Sequence, residues 1–503
     1  MTHGLFVYNA RLLDESIDGP GAVLVIEGKI RGVFQGYFTN ESTVKSLADS
    51  ILKEDGCEDC SLVYYDARGL TVTPSFIDMH VHFRYPGQTQ KEDLDSGLHA
   101  AIAGGFGTVV TMPNTNPVVS SAQMAFKIDV EASSFGLAKV IQTVSITKDF
   151  EGTDIDHLDE LDSKLVPVVT EDGHDVASAA VMLEGMSKLG AKGIVVSCHC
   201  EDNELAKMAR PYRQNALNLM EKYHLPAWGC SSSDEDDIPD EVFDEIDNYL
   251  TRANDILALA EDTATARNIS IAKLAGCHVH LAHVSTANAI ESIRNAKNAL
   301  AGEYADFADD EADAAYEAAL DGHKFVPTKK NFDGFNVTCE VTPHHIALCG
   351  TDEPNIRALV NPPLRSEDDR IAILDALRDG TVDVIATDHA PHTLDDKAKG
   401  APGFTGIETA YGVCNTVLVQ EGQIDSKRLS QLMSANPAKI LKLNKGLLKP
   451  GFDADITIVD PEETWIVEPK LFCSKGKATP FDGRTLTGRV KTVFIAGNKV
   501  FES

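Results

Sequence analysis

No apolar run in this sequence approaches the ~20 residues that a bilayer span requires. The opening stretch, MTHGLFVYNARLL, also lacks the basic start and apolar core of a secretory leader. A cytoplasmic chain with no membrane partner is the expectation. Positive charge is scarce too. Lys and Arg number 45 against 77 Asp and Glu, a formal net charge of −32. So acidic a surface repels phosphate backbones and anionic lipids, which argues against a nucleic-acid partner. Zinc-ribbon cysteine pairs are missing: of ten cysteines, only Cys57 and Cys60 have the two-residue spacing, in an acidic, loop-like stretch. Free thiols in a reducing compartment are expected. Cys198 and Cys200 flank a histidine, and strand-core packing explains them at least as well as chemistry does.

What the chain does have is alternation. Between residues 74 and 445, short apolar runs take turns with helical stretches. The runs are TPSFIDMHVHF, GTVVTMPN, KVIQTVSIT, LVPVVTED, GIVVSCHCED, HVHLAHVST, FNVTCEVTPHH and VDVIATDHAPH. QKEDLDSGLHAAIAGG, DVASAAVMLEGMSKLG and DRIAILDALRDG are among the helical connections. Eight strand–helix units in series predict an α/β fold, a (β/α)8 TIM barrel, because parallel strands need right-handed crossovers. A doubly wound open sheet is the rival, but it would not bring all the strand ends to one mouth. Residues 1–73 and 446–503 read differently. They alternate apolar and polar positions around Gly-rich turns and predict a small β-sandwich built jointly by the two ends. Two acidic inserts, 231–248 and 302–322, read as surface insertions with partial disorder.

The first barrel run closes on His80, Val81 and His82, with Arg84 beyond. Side chains alternate along a strand, so both imidazoles point to one side and can share a metal ion. The motif alone is weak. Sixteen histidines in 503 residues give about half such a pair by chance, and the chain has two. The second, His278 and His280, falls inside its strand and reads as packing or as support for ligands. His283, at an odd spacing from both, falls on the other face and nearer the strand's end. Accumulation carries the argument: run four ends in Asp172, run five in His199, run six in His283 and run eight in Asp388. Four imidazoles and two carboxylates at one mouth suit a pair of Zn²⁺ ions.

The HxH after an apolar strand, the later AHVST and TDHAPH, and the flanking β segments resemble the amidohydrolase superfamily. PSFIDMHVHFRYPG, TMPNTNP, VTCEVTPHH, VNPPLR, ATDHAPH and KATPFDGRTLTGRV resemble its dihydroorotase family, of the long bacterial type. The resemblance spans nearly the whole chain except the acidic inserts. It implies reversible ring closure of N-carbamoyl-L-aspartate to L-dihydroorotate in pyrimidine biosynthesis, with one or two Zn²⁺ per subunit. It places His80, His82 and Asp388 on one zinc and His199 and His283 on the other. Many relatives bridge the ions with a carbamylated lysine; here the nearest, Lys164, precedes the strand, and Asp172 matches the aspartate that replaces it in part of the family. Asp388 is implied as the proton-transfer residue. Arg84, His82, Asn114 and His392 are implied at the substrate carboxylate, Asn361 at the pyrimidine ring, and Pro402 and Gly403 in a loop over it. The resemblance also brings in aspartate transcarbamoylase as a partner and leaves homo-oligomer formation open. Two rival readings are another cyclic amidase (allantoinase or hydantoinase) and an inactive homologue that scaffolds aspartate transcarbamoylase.

Overall fold

Both ends of the chain contribute to one sheet, and the middle closes into a ring. The computed structural model describes residues 3–54, 60–223, 225, 238–302, 334–350 and 359–503. The chain opens with β1 (His3–Leu13), β2 (Asp18–Ile26), β3 (Lys29–Gln35), helix α1 (Glu41–Glu54), β4 (Ser61–Asp66) and β5 (Thr71–Pro74). Then come β6 (Phe76–Val81), β7 (Phe106–Thr111), β8 (Lys139–Gln142), β9 (Val168–Thr170), β10 (Val195–Cys198), β11 (His278–Leu281), β12 (Asn336–Val341) and β13 (Val384–Ile385). These are short and apolar because a strand covered on both faces buries every side chain, or all but its first.

β6, β7 and β8 pair in parallel, as do β9 to β13 in series. Two further parallel bridges, Val144 to Val169 and Val81 to His389, join the two groups into a closed barrel. This is the expected (β/α)8 barrel rather than the open-sheet rival. α2 (Leu94–Ala103), α3 (Ala122–Ser133) and α4 (Ala179–Ala191) fill connections on its outside. Ile77, Met79, Val110, Met112, Ile141, Val168, Val195 and Val384 pack its interior, with Ala438, Ile440 and Leu441 against them. That last group plugs the lower end. Asn436 Nδ2 donates to Asp383 O (2.8 Å) and Lys442 Nζ to Gly193 O (2.9 Å), just before β13 and β10 begin. With the bottom filled by apolar side chains, polar chemistry is confined to the opposite mouth.

Strands β14 (Ile456–Ile466), β15 (Thr485–Ile495) and β16 (Asn498–Glu502) return to the N-terminal segment. The order is β16-β15-β14-β5-β1-β2-β3, with β4 paired to β1. The sheet curls over on itself. Leu5, Val7, Val23 and Val25 share one apolar cluster with Val72, Ile456, Ile458 and Phe494. The β2–β3 turn at Gly28 also meets Ala496, near the other end of the strand order, and a Cβ on Gly28 would lie 3.0 Å from that of Ala496. α1 covers the outer face through Val44 and Ala48, against Phe6, Tyr8 and Leu24.

The first acidic insert is partly helical. Between β10 and β11 lie α5 (Asn203–Lys222) and α6 (Asp240–Ala275), and α6 begins within residues 231–248. Val242, Ile246 and Leu250 form a stripe at helical spacing that packs on Ala216 and Met220 of α5. Acidic residues occupy the other face, so a charge-rich segment still has an apolar edge to bury. Residues 231–237, Cys57 and residues 303–322 of the second insert lie outside the described residues. No described helix is long and apolar enough to cross a membrane.

Candidate metal centre and active site

The strands are shorter than the apolar runs that announce them. β6 ends at Val81, β9 at Thr170, β10 at Cys198, β11 at Leu281 and β13 at Ile385. His82, Asp172, His199, His283 and Asp388 therefore stand on the first residues of the loops that follow, where the backbone can turn each side chain inward. The pairing of β6 with β7 shifts register between Asp78 and Val81. That irregularity lets Met79 pack the interior while His80 and His82 still face the mouth. His283 and Asp388 have left-handed backbone, with φ of 33° and 49°. The direction of His283 is thus set by a turn, not by the strand alternation that the sequence spacing suggests.

The structure brings all these residues together. His80, His82, Asp172, His199, His283 and Asp388 are each at most 8% exposed. His80 Nε2 lies 3.2 Å from Asp172 Oδ1 and 3.7 Å from Asp388 Oδ1. His82 Nε2 is 3.1 Å from Asp388 Oδ1 and 3.5 Å from Asp172 Oδ2. His199 Nδ1 and His283 Nε2 are 2.9 Å apart, and lie 3.6 Å and 3.9 Å from Asp172 Oδ1. Asp172 therefore sits between two groups of nitrogen donors: His80 with His82, and His199 with His283.

Around these donors, a further layer of carboxylates and amides fixes the rings. His80 Nδ1 meets Glu340 Oε1 at 2.9 Å, and the same carboxylate reaches His280 Nε2 through Oε2 at 3.1 Å. His82 Nδ1 meets Asn114 Oδ1 at 3.0 Å, while Asn114 Nδ2 donates to Asp172 Oδ2 at 2.8 Å. Asn114 thus spends both ends of its amide on candidate ligands. Asp78, on β6, accepts from Thr387 N and Oγ1 at 3.0 and 2.6 Å, tying the HxH strand to the segment before Asp388.

These donors fit a pair of divalent cations. His80 Nε2 is buried without a hydrogen-bond partner although two carboxylate oxygens lie nearby. Burial works to raise the proton affinity of Asp172 and Asp388, yet His80 and the other imidazoles hold both well below the usual carboxylate range. Burial works against a charge on His80, but Asp172 and Glu340 hold its proton affinity well above the ordinary value. Two ionised, desolvated carboxylates among imidazoles form a site of negative potential, which a divalent cation satisfies through N and O ligands. The chemistry-capable trios His80, Asp172, His283 and His80, His82, Asp388 each have ligand atoms within 4.8 Å of one another.

The residues expected at the substrate from the sequence lie around this centre. Arg84 Nη2 meets His392 Nε2 at 3.0 Å and Arg84 Nε donates to Pro391 O at 3.3 Å, which fixes the guanidinium plane. Burial and then Arg84 push the His392 imidazole down to about 3, so it faces Arg84 as a neutral acceptor. Asn361 Nδ2 donates to Glu201 Oε2 at 3.0 Å, and Glu201 Oε1 is 3.9 Å from His199 Nε2. Arg213 Nη1 reaches Asn361 Oδ1 at 3.4 Å. Gly403 is buried and Pro402 exposed at the rim. Gly403 has φ of 121°, and a Cβ there would lie 2.7 Å from Ala390 Cβ. Only glycine lets this loop lie against the Asp388–His392 segment.

Glu340, Glu201 and His344 also line this region, without a signal in the sequence that singles them out together. The first two needed three-dimensional pairing to stand out. His344 was legible in part, in the VTPHH run at the end of β12. It is buried, its Nε2 has no partner, and its ring packs edge-on against Phe404 at 5.8 Å.

Comparison with known proteins identifies the family. The family described as Dihydro-orotase-like matches residues 69–214, and the Amidohydrolase family matches residues 240–500. A dihydroorotase of Clostridium botulinum is 33% identical over 98% of this chain and 98% of its own. A dihydroorotase of Bacillus subtilis is 32% identical over 93% of this chain and 97% of its own. Among solved structures, an L-hydantoinase (dihydropyrimidinase) from Arthrobacter aurescens superposes with a TM-score of 0.73 at 21% identity. It covers 99% of this chain and 96% of its own. At that identity the likeness speaks for the fold alone. The chain belongs to the amidohydrolase family, in its dihydroorotase branch of cyclic-amide hydrolases.

Proposed function

We propose that this protein is a zinc-dependent dihydroorotase, interconverting N-carbamoyl-L-aspartate and L-dihydroorotate in pyrimidine biosynthesis. The observation that carries the reading is Asp172, which lies between the two histidine groups where many relatives use a carbamylated lysine. His80, His82 and Asp388 would hold one zinc, His199 and His283 the other, and Asp172 would span both. Bound zinc polarises a carbonyl oxygen and lowers the pKa of a water it holds to about 7.

The chain's own residues supply the rest. Arg84, braced by His392 and Pro391, presents a fork that matches a carboxylate bidentately. Asn361 meets the pyrimidine ring, and Gly403 closes over it. In ring opening, the amide C–N bond breaks and the carbonyl carbon gains the oxygen of water. The Asp388 carboxylate accepts a proton from that water and returns it to the departing nitrogen, which leaves as the carbamoyl NH2. Ring closure runs the same path backwards and expels water. Asp388→Asn keeps the size of the side chain and removes the proton acceptor. We expect kcat to fall by at least about a thousandfold with dihydroorotate KM little changed, read from initial rates in both directions. Retained turnover removes Asp388 from the proton path.

Assays with L-dihydroorotate, allantoin, dihydrouracil and hydantoin side by side test the substrate. Opening of dihydroorotate supports the reading, and turnover of only the others overturns it. The retained donor set argues against an inactive scaffold, and metal content of the purified protein tests this directly. In this reading the enzyme is cytoplasmic, and aspartate transcarbamoylase or a second copy of the chain is a candidate partner, testable by sedimentation of the mixed proteins.

A further inference from the structure

We propose that Lys397 is a positioning residue, fastening the loop that carries Pro402 and Gly403 to the segment that carries Asn361, so that two edges of the substrate pocket move as one body. The proposal rests on the dihydroorotase reading for its choice of substrate. Lys397 stands on the short helix Leu394–Ala398, beyond the Asp388–His392 segment, and is fully buried. Its Nζ donates to Leu359 O at 3.1 Å, Ala401 O at 2.6 Å and Gly403 O at 2.8 Å. An ammonium has three N–H donors, and three carbonyls meet them. Gly403 N donates to the same Leu359 carbonyl at 2.8 Å, so one oxygen ties both the loop's backbone and the lysine. The ring of Phe404 lies 5.0 Å from Nζ.

No carboxylate among the described residues pairs with this lysine. A buried ammonium without a counter-charge is costly unless every donor is satisfied, and here satisfaction depends on two separate segments meeting. Arg213 grips the second of them too, through Asn361 Oδ1 and Val360 O. Burial, then the charges of Arg213 and Arg84, push the Lys397 ammonium down to about 7. Such a cluster of cations gains from an anion entering beside Arg84, which is where the substrate carboxylate is assigned. A methionine at 397 would fill the same space while leaving the Ala401 and Gly403 carbonyls without that donor.

The test compares Lys397→Met and Lys397→Gln with the wild type. Readouts are kcat and KM for L-dihydroorotate, calorimetric Kd for orotate as an unreactive pyrimidine carboxylate, bound metal, and melting temperature. The expected result is KM and orotate Kd raised about tenfold or more, kcat within about threefold, and metal content unchanged. A merely structural lysine would lower melting temperature and active fraction while leaving KM and Kd within about twofold, and that result overturns the proposal. If Lys397→Met does not fold, Lys397→Gln decides, because its amide keeps two donors. Should the wild type open hydantoin and not dihydroorotate, the substrate reading fails on its own. The same KM comparison is then made on hydantoin, where an unchanged KM overturns the role of Lys397 and a raised one supports it.

Discussion

His80 and His82 stand at the C-terminal end of β6, whereas His278 and His280 stand at the start of β11, and the same His-x-His pattern meets different partners in the two places. At β6 the ring nitrogens face carboxylates that arrive from other strands: Asp172, Asp388 and Glu340. At β11 they are absorbed by the neighbouring strand. His278 Nε2 and His280 Nδ1 each lie 2.8 Å from Thr338 Oγ1, and His280 Nε2 meets Glu340. Depth along the barrel separates a candidate ligand from a brace, because the mouth collects side chains from several strands. The two pairs are still coupled, since Glu340 has one oxygen on His80 and the other on His280.

The sharpest way to break the comparison is to remove one histidine from each pair. His80→Ala should strip metal from the centre and cut turnover by more than about a thousandfold, with modest change in the unfolding free energy. His280→Ala should do the reverse. It leaves Glu340 Oε2 and the Thr338 hydroxyl without that partner in a buried site, at a cost of ~1–3 kcal/mol. Metal analysis by mass spectrometry and urea melts on both variants would show the crossing. A His280→Ala protein as metal-free as His80→Ala would erase the distinction.

Glu340→Gln sharpens it from the middle. The amide keeps the shape and loses the charge that holds the His80 ring in its orientation. Partners of this kind typically contribute ten- to a hundredfold in metal affinity. We expect that loss in a competition titration against a chelator, with His82 and Asp388 still in place to retain weak binding. Unchanged affinity would mean that Glu340 serves the packing of β11 and β12 only.

The contrast also shows what the one-dimensional pattern reveals and what it hides. The eight apolar runs were readable because strands buried on both faces are nearly continuous in apolar residues. Each run overshot its strand, since the loop residues after it are buried too: Glu171 and Asp172 after β9, Ala386 to His389 after β13. The candidate ligands were readable as polar residues interrupting those runs. Asp172 is legible twice, as the acid that closes run four and as the residue standing where a lysine is missing. Glu340 was hidden inside VTCEVTPHH, because a single buried acid in a strand gives no hint of which imidazole it will meet. Spacing points to His283, yet its backbone is left-handed, a feature that no alternation rule reports. The sequence pattern is equally silent on the amide of Asn114, which bonds to His82 and Asp172.

The smallest effect belongs to His278, the outermost of the four. Desolvation first, then His280, Lys442 and Lys297, push its imidazole down to about 3. An unfolded chain takes up a proton at that residue near pH 6.5, while the folded chain does not until far lower pH. The neutral ring therefore adds its full stabilisation above pH 6.5, and this is lost as pH falls toward 3. His278→Gln keeps an amide to bond Thr338 and removes the titration. Between pH 6.5 and 4 its unfolding free energy should fall less steeply than that of the wild type. The ceiling is one proton's worth, about 1.4 kcal/mol per pH unit, and the partial exposure of His278 keeps the effect below it. Denaturant melts of both proteins across that range measure the difference in slope. Parallel slopes would show His278 to be protonated in the folded protein, so that the β11 pair carries a charge and its contrast with the β6 pair narrows.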